Sequence, residues 1–319
     1  MNQIDYTIKA DKRVIGSAPW SSQLVNTEDV GDDIVKVMEK SGLDYSFHKE
    51  QLKLSDGRPV NNYAIVRDDT NEIISHSVGS DWTGVSNAKR FEWFSPYLQN
   101  ADAKIIYAGA ITDNLRTKVC VIARIEKNTN VEIQKGDDIA KYILLSDSFG
   151  GAALRPMLLS LRLMCMNGAM ETTTSEISKI RHSSKITSRL DNVHNDIELW
   201  NKDFEEQVSN YRFLAGKDIK SNDNLNRYFM EVMNYEVDPE KGTLGTRQEN
   251  TMTKLRELFH DTKHNKGSNL WTAYNAITAY VNHYMGREVN TALNSLFYGA
   301  GQTRQKRALE VAMDFASKI

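Results

Sequence analysis

The chain has 319 residues, 40% of them hydrophobic and 26% charged, with 18 Gly, 5 Pro and a formal net charge of −2. That composition excludes a disordered or fibrous chain and supplies material for one large core or, as expected at this length, two. With a pI near 6.4 the chain also lacks the global positive charge of many nucleic-acid binders, so a polyanion partner requires a local basic patch.

Met1 to Ala10 alternates polar and apolar residues and has no apolar stretch of the signal-peptide kind. From Glu28 to Lys40 the spacing predicts a helix, with Thr27 as N-cap, Val30, Ile34 and Val37 on one face and Gly42 just past its end. Strand signals follow at Gln51 to Leu54, Val60 to Val66 and Ile73 to Val78, separated by turns at Asp56-Gly57 and Asp68 to Asn71. These read as antiparallel hairpins. A helix from Asn87 to Leu98 aligns Phe91, Phe94 and Leu98 and is expected to stop or kink near Pro96.

Strands resume at Lys104 to Ala110, Lys118 to Ile125, Lys141 to Ser146 and Leu158 to Met166. The most apolar stretch, Met157 to Met166, is broken by Ser160 and Arg162 and is too short to span a bilayer, so no membrane segment is expected. Cys120 and Cys165 sit in apolar, strand-like runs, which fits packed thiols in a reducing bacterial cytoplasm.

From Thr172 the period changes to 3.6, and Val193, Ile197, Trp200, Phe204, Val208, Tyr211 and Ala215 form one stripe ending at Gly216. Lys217 to Asn226 and Asp238 to Gly245 read as loops, and Thr246 with Glu249 as a capping box. Helices are expected around Arg247 to His260, Leu270 to Met285, Val289 to Tyr298 and Arg304 to Ala316. The fold class is therefore α+β. An antiparallel sheet domain with packed helices is expected over residues 1–171, and a mainly helical domain over 172–319.

Three segments carry a resemblance. The first is Gly57-Arg58-Pro59 with Tyr63 to Asp69, leading through Gly79 to Val85-Ser86-Asn87. The second runs from Tyr142 to Leu145 through Ser148 and ends in Arg162 to Asn167. The third is Trp271 to Tyr280 with His283, Arg287 and Phe297 to Gly301. Together they resemble the phage/plasmid-like protein family, domain of unknown function nine-three-two, from Gly57 to about Ala316. The resemblance implies a phage or mobile-element protein of DNA metabolism, although the family has no settled activity. Where relatives typically read Asn-Ser-His-Asp-Gly, this chain reads Asp147-Ser148-Phe149-Gly150-Gly151, so a catalytic or metal role for that histidine does not carry over. More distantly, the chain is similar to phage single-strand annealing proteins of the Red-beta and RecT type, whose core is likewise an antiparallel sheet with packed helices.

The residues themselves offer several sites. Lys179, Arg181, Lys185 and Arg189, with His182, lie in a stretch free of acids. On a helix, Arg181, Lys185 and Arg189 recur at i, i+4 and i+8 and form a ridge suited to successive phosphates; the competing reading is a solvated helix face. Arg155 and Arg162 flank an apolar strand and extend the patch. Trp82, in a loop from Gly79 to Gly84, is expected to be exposed and to stack on unpaired bases, while Trp93, Tyr97 and Tyr107 read mainly as core. Gly299-Ala300-Gly301 ahead of Arg304, Lys306 and Arg307 suits a helix start that grips phosphate, or simply a chain reversal.

His260 and His264 are one helical turn apart, as in zinc hydrolases, but sit where a helix should end. A Cys165 nucleophile with His283 as base is weaker than a buried, hydrogen-bonded His283. Asp68-Asp69 and Asp137-Asp138 read as turn residues. The expectation is a non-enzymatic protein without cofactor or metal that binds and anneals single-stranded DNA in recombination or replication, as a homo-oligomeric ring or filament. The alternatives are an interaction protein for a host defence or replication factor, and a metal-dependent hydrolase or nuclease built on His260 and His264.

Overall fold

The computed structural model of the protein describes residues 18–112, 117–125, 130–150, 155–164, 167–169, 193–285 and 289–319. Strand β1 (Val25–Asn26) leads to a 3-10 turn at Glu28–Val30 and then to α1 (Ile34–Ser41). The helix expected from Glu28 is thus divided. Its cap is Asp33, not Thr27: Asp33 has the extended backbone an N-cap requires, and its carboxylate accepts from the Val35 and Lys36 N–H groups. Gly42 closes α1 as expected.

Strands β2 (Phe47–Lys53), β3 (Pro59–Arg67) and β4 (Ile73–Gly79) form an antiparallel three-stranded sheet, with β2 starting four residues before the expected Gln51. Helix α2 (Asn87–Asn100) is capped by Ser86, whose hydroxyl accepts from the Lys89 N–H. It runs four residues past Pro96. A proline there removes one backbone hydrogen bond, but Phe91, Phe94 and Tyr97 are fully buried around it and hold the helix in place.

The main sheet has seven antiparallel strands: β1, β5 (Ala103–Thr112), β6 (Thr117–Ile125), β8 (Asp137–Ser148), β9 (Arg155–Arg162) and β10 (Asn167–Ala169) in that order, with β7 (Asn130–Gln134) beside the start of β8. Val119 to Ala123 are all fully buried, so β6 is covered on both faces and reads as a continuous apolar run. Neighbouring residues on a strand point to opposite faces. Asp147 meets Arg90 of α2, whereas Ser146 accepts from the Tyr298 hydroxyl of α7 (Val289–Tyr298), so the two helices flank the sheet on opposite sides.

The C-terminal half is helical as expected. Ile197, Trp200, Phe204, Val208 and Tyr211 of α3 (Val193–Ala215) are buried. Tyr97 of α2 stacks on Trp200 at 5.7 Å, and Tyr211 meets Trp271 of α6 (Leu270–His283) at 4.6 Å. Buried side chains of the sheet and of the helices join in one connected apolar cluster.

Three helix starts in this half also differ from expectation. Helix α4 (Asn222–Met233) begins inside the stretch read as loop, because Ser221 caps it and Leu225, Tyr228, Phe229 and Val232 bury one face of a polar-looking run. Helix α5 (Thr246–Phe259) uses Gly245 as its cap, with the Gln248 side chain accepting from the Gly245 N–H, while Glu249 pairs with Arg256. Helix α8 (Ala300–Ala316) starts four residues before Arg304.

Candidate functional site

Between the small sheet and the loop leading into α2 lies an open groove of about 640 Å³, lined by Phe47, His48 and Lys49 of β2 and by Trp82, Gly84 and Ser86. Trp82 is half-buried rather than fully exposed, and its ring lies 6.3 Å from that of Phe47. The close approach depends on Gly84: a Cβ there would stand 2.6 Å from a Phe47 ring carbon. Lys49 reaches across the sheet to donate to the Ser80 and Trp82 carbonyls, and its ammonium sits 4.8 Å above the Tyr63 ring. A cation is therefore tied to the loop that presents the indole.

Beneath this surface the aromatics continue inward. Phe47 meets Phe149 edge to face at 5.0 Å, and Phe149 stacks on Tyr45 at 6.4 Å. Arg90 lies 4.0 Å from the centre of the Phe149 ring. Its Nε donates to Asp147 at 2.5 Å and its Nη1 to Asn87, with both partners of the ion pair fully buried. Burial pushes the Tyr45 phenol above its ordinary range. At the rim, a hydrogen bond from Ser46, then one from His48, holds Asp68 below the usual carboxylate range. Phe149 and Gly150 are thus packing elements. Gly150 has φ 83°, and a Cβ on it would meet Val78 at 2.5 Å.

The expected site residues fare differently. Lys179, Arg181, His182, Lys185, Arg189 and Cys165 lie outside the described residues. Arg155 pairs with Ser146 in the ladder between β8 and β9. Arg162 requires correction. It is 2% exposed, and its guanidinium donates from Nε and Nη2 to the two oxygens of Asp137 and from Nη1 to Asn265, so it does not extend a surface patch. Trp271 donates to the same Asp137, which is a buried anion rather than a turn residue.

Of the two readings of Gly299 to Gly301, the chain reversal is the one found. Ala300 and Gly301 belong to α8, and the Gly301 N–H is taken by the Ser295 hydroxyl, which makes this a tight reversal from α7. Arg304 donates to the Val232 carbonyl and Arg307 to that of Glu231, closing the C-terminus of α4, while Lys306 lies 4.0 Å from Glu310. His260 caps the end of α5, and His264 lies 2.9 Å from Asp261. Among the described residues, no three His, Cys, Asp or Glu side chains are grouped to hold a metal. His283 is buried, as are Trp93 and Tyr97; Tyr107 is half-buried at the edge of Trp20. Asp69 pairs with Arg67 through two hydrogen bonds and Asp68 with His48, so both are anchored on the small sheet.

Phe47, Lys49 and Arg90 were not anticipated as site residues. The alternation Phe47-His48-Lys49 was the available signal, since residues two apart on a strand share a face. A family model described as Domain of unknown function (DUF932) matches residues 75–311, more than half of the chain. That span contains Trp82, Arg90, Asp147 and Arg162 but not β2. No curated protein and no solved structure matches the chain.

Proposed function

The chain belongs to the DUF932 family, whose function is unknown, and on that premise we propose that it is a non-enzymatic protein of phage or mobile-element DNA metabolism that binds single-stranded DNA without sequence preference. The observation that carries this reading is the groove, where the half-buried indole of Trp82 lies beside Lys49 and His48. Stacking on an aromatic face and neutralisation by a neighbouring cation are the two contributions that sequence-tolerant strand binding needs. The sequence adds the cationic stretch of Lys179, Arg181, Lys185 and Arg189 as a second source of phosphate-neutralising charge. The proposal extends to annealing, by protomers assembled on a strand as a ring or filament, as the sequence resemblance to Red-beta and RecT proteins would imply.

The test is fluorescence polarisation of a labelled single-stranded oligonucleotide at rising salt. Log affinity should fall linearly with log salt, with a shallower slope for the Lys185→Glu, Arg189→Glu variant. Trp82→Ala should weaken binding about tenfold. No binding by the wild type at low salt ends the reading. A stoichiometric protein co-purifying from nuclease-treated host lysate would then favour the interaction-protein alternative.

A further inference from the structure

A second cavity, of about 790 Å³, opens between α3, the end of α2 and the strands β6 to β8. Its walls are mixed: Ile125, Val131, Ile197, Phe204 and Val208 supply apolar surface beside polar and charged side chains. Lys141 of β8 stands among them, with its Nζ 4.4 Å from the centre of the Phe204 ring and 2.8 Å from the Asn201 side-chain oxygen. An ammonium carries three donors, so this hydrogen bond leaves two for a ligand. Burial pulls the amine below its ordinary range, against the opposing pull of Glu205, which marks a cation already stripped of part of its water. Arg212 also lines the cavity, held by two bonds to the Glu132 carbonyl that fix the guanidinium without neutralising it. Asp102 and Glu205 supply acceptors around the same opening, and Asn100 an amide.

We propose that this cleft binds a nucleoside monophosphate unit, its phosphate on Lys141 and Arg212 and its base against the apolar wall, with Asp102, Glu205 and Asn100 meeting amino and hydroxyl groups of base and sugar. The cavity volume falls within the range of small-molecule sites, about 300 to 1,000 Å³, and its lining is richer in polar groups than most such sites, as a ligand carrying a phosphate and a sugar requires. A free nucleotide and a unit within a DNA strand share this chemistry. Only the second source rests on the single-strand reading above.

Calorimetric titration of the full chain with deoxyadenosine monophosphate, and polarisation with a labelled single-stranded oligonucleotide, separate the sources. Two variants are used: Lys141→Met, which keeps the chain over Phe204 and removes the charge, and Ser209→Trp, which fills the mouth from an exposed position on α3. Mononucleotide binding weakened about tenfold or more in both variants supports a free-nucleotide site. The same loss for the oligonucleotide alone supports a site for one unit of the strand. If both variants bind every ligand that the wild type binds, and as tightly, the cleft is overturned while any strand binding stands, and a wild type that binds neither ligand overturns both.

Discussion

Arg162 and Arg90 are buried against aspartates at the two ends of one strand, Asp137 and Asp147 of β8. At the seam with the helices, Arg162 uses both oxygens of Asp137 and reaches Asn265 and the His264 carbonyl, while Trp271 donates to the same carboxylate. Under the small sheet, Arg90 bonds Asp147 and Asn87, its Nη2 has no hydrogen-bond partner among the described residues, and its Cζ lies 4.0 Å from the centre of the Phe149 ring. The first region is a closed lock between sheet and helices. The second keeps spare polar capacity a short aromatic ladder away from an open groove.

The comparison can be broken by mutation. Arg162→Met should be the most damaging change, costing about 5 kcal/mol in denaturant unfolding, because it removes the counter-charge of a buried carboxylate and the donor to the Asn265 side-chain oxygen. Arg90→Met should cost about 3 kcal/mol, since one of its donors is already unmatched and methionine packs well on Phe149. An equal or larger cost for Arg90→Met would erase the distinction between the two regions. Trp82→Ala should cost about 2 kcal/mol, roughly half the loss for a fully buried aromatic, while acting mainly on strand affinity. A stability loss as large as that of Arg162→Met would make Trp82 a core residue and remove it from any binding surface.

The smallest effect concerns Cys120, buried on β6 with its thiol pushed up to about 12 by burial. The thiolate is the reactive form, so at pH 8 the folded protein should leave Cys120 unmodified by iodoacetamide, and denaturant should expose it. Mass spectrometry of its peptide reads the outcome. Alkylation in the folded state would mean that the sheet between the two regions is not sealed.

Much of the architecture was legible in the residues themselves. The hairpins around Asp56-Gly57 and Asp68 to Asn71, the buried run of β6 and the long stripe of α3 are local patterns, set by turn chemistry and periodicity. Trp82 stood out because it sits in a short polar loop between two glycines. What stayed hidden was long-range. Nothing in the run from Met157 to Met166 announces that Arg162 is matched by Asp137, and the cations after Gly301 do not reveal that two of them close another helix. Charge is visible in a sequence, but its neutralisation is a property of the fold. The cap at Asp33 and the helix after Ser221 were missed for a milder reason: neighbouring polar residues compete for the same role, and burial of the following apolar face decides between them.

If the groove at Trp82 meets an unpaired base, irradiating the protein with a single strand carrying 5-iodouracil and mapping the cross-linked peptides will find it there. Cross-links to Trp82 or Phe47, lost on competition with unlabelled strand, are the predicted result. A bound strand that cross-links only elsewhere on the chain would contradict it.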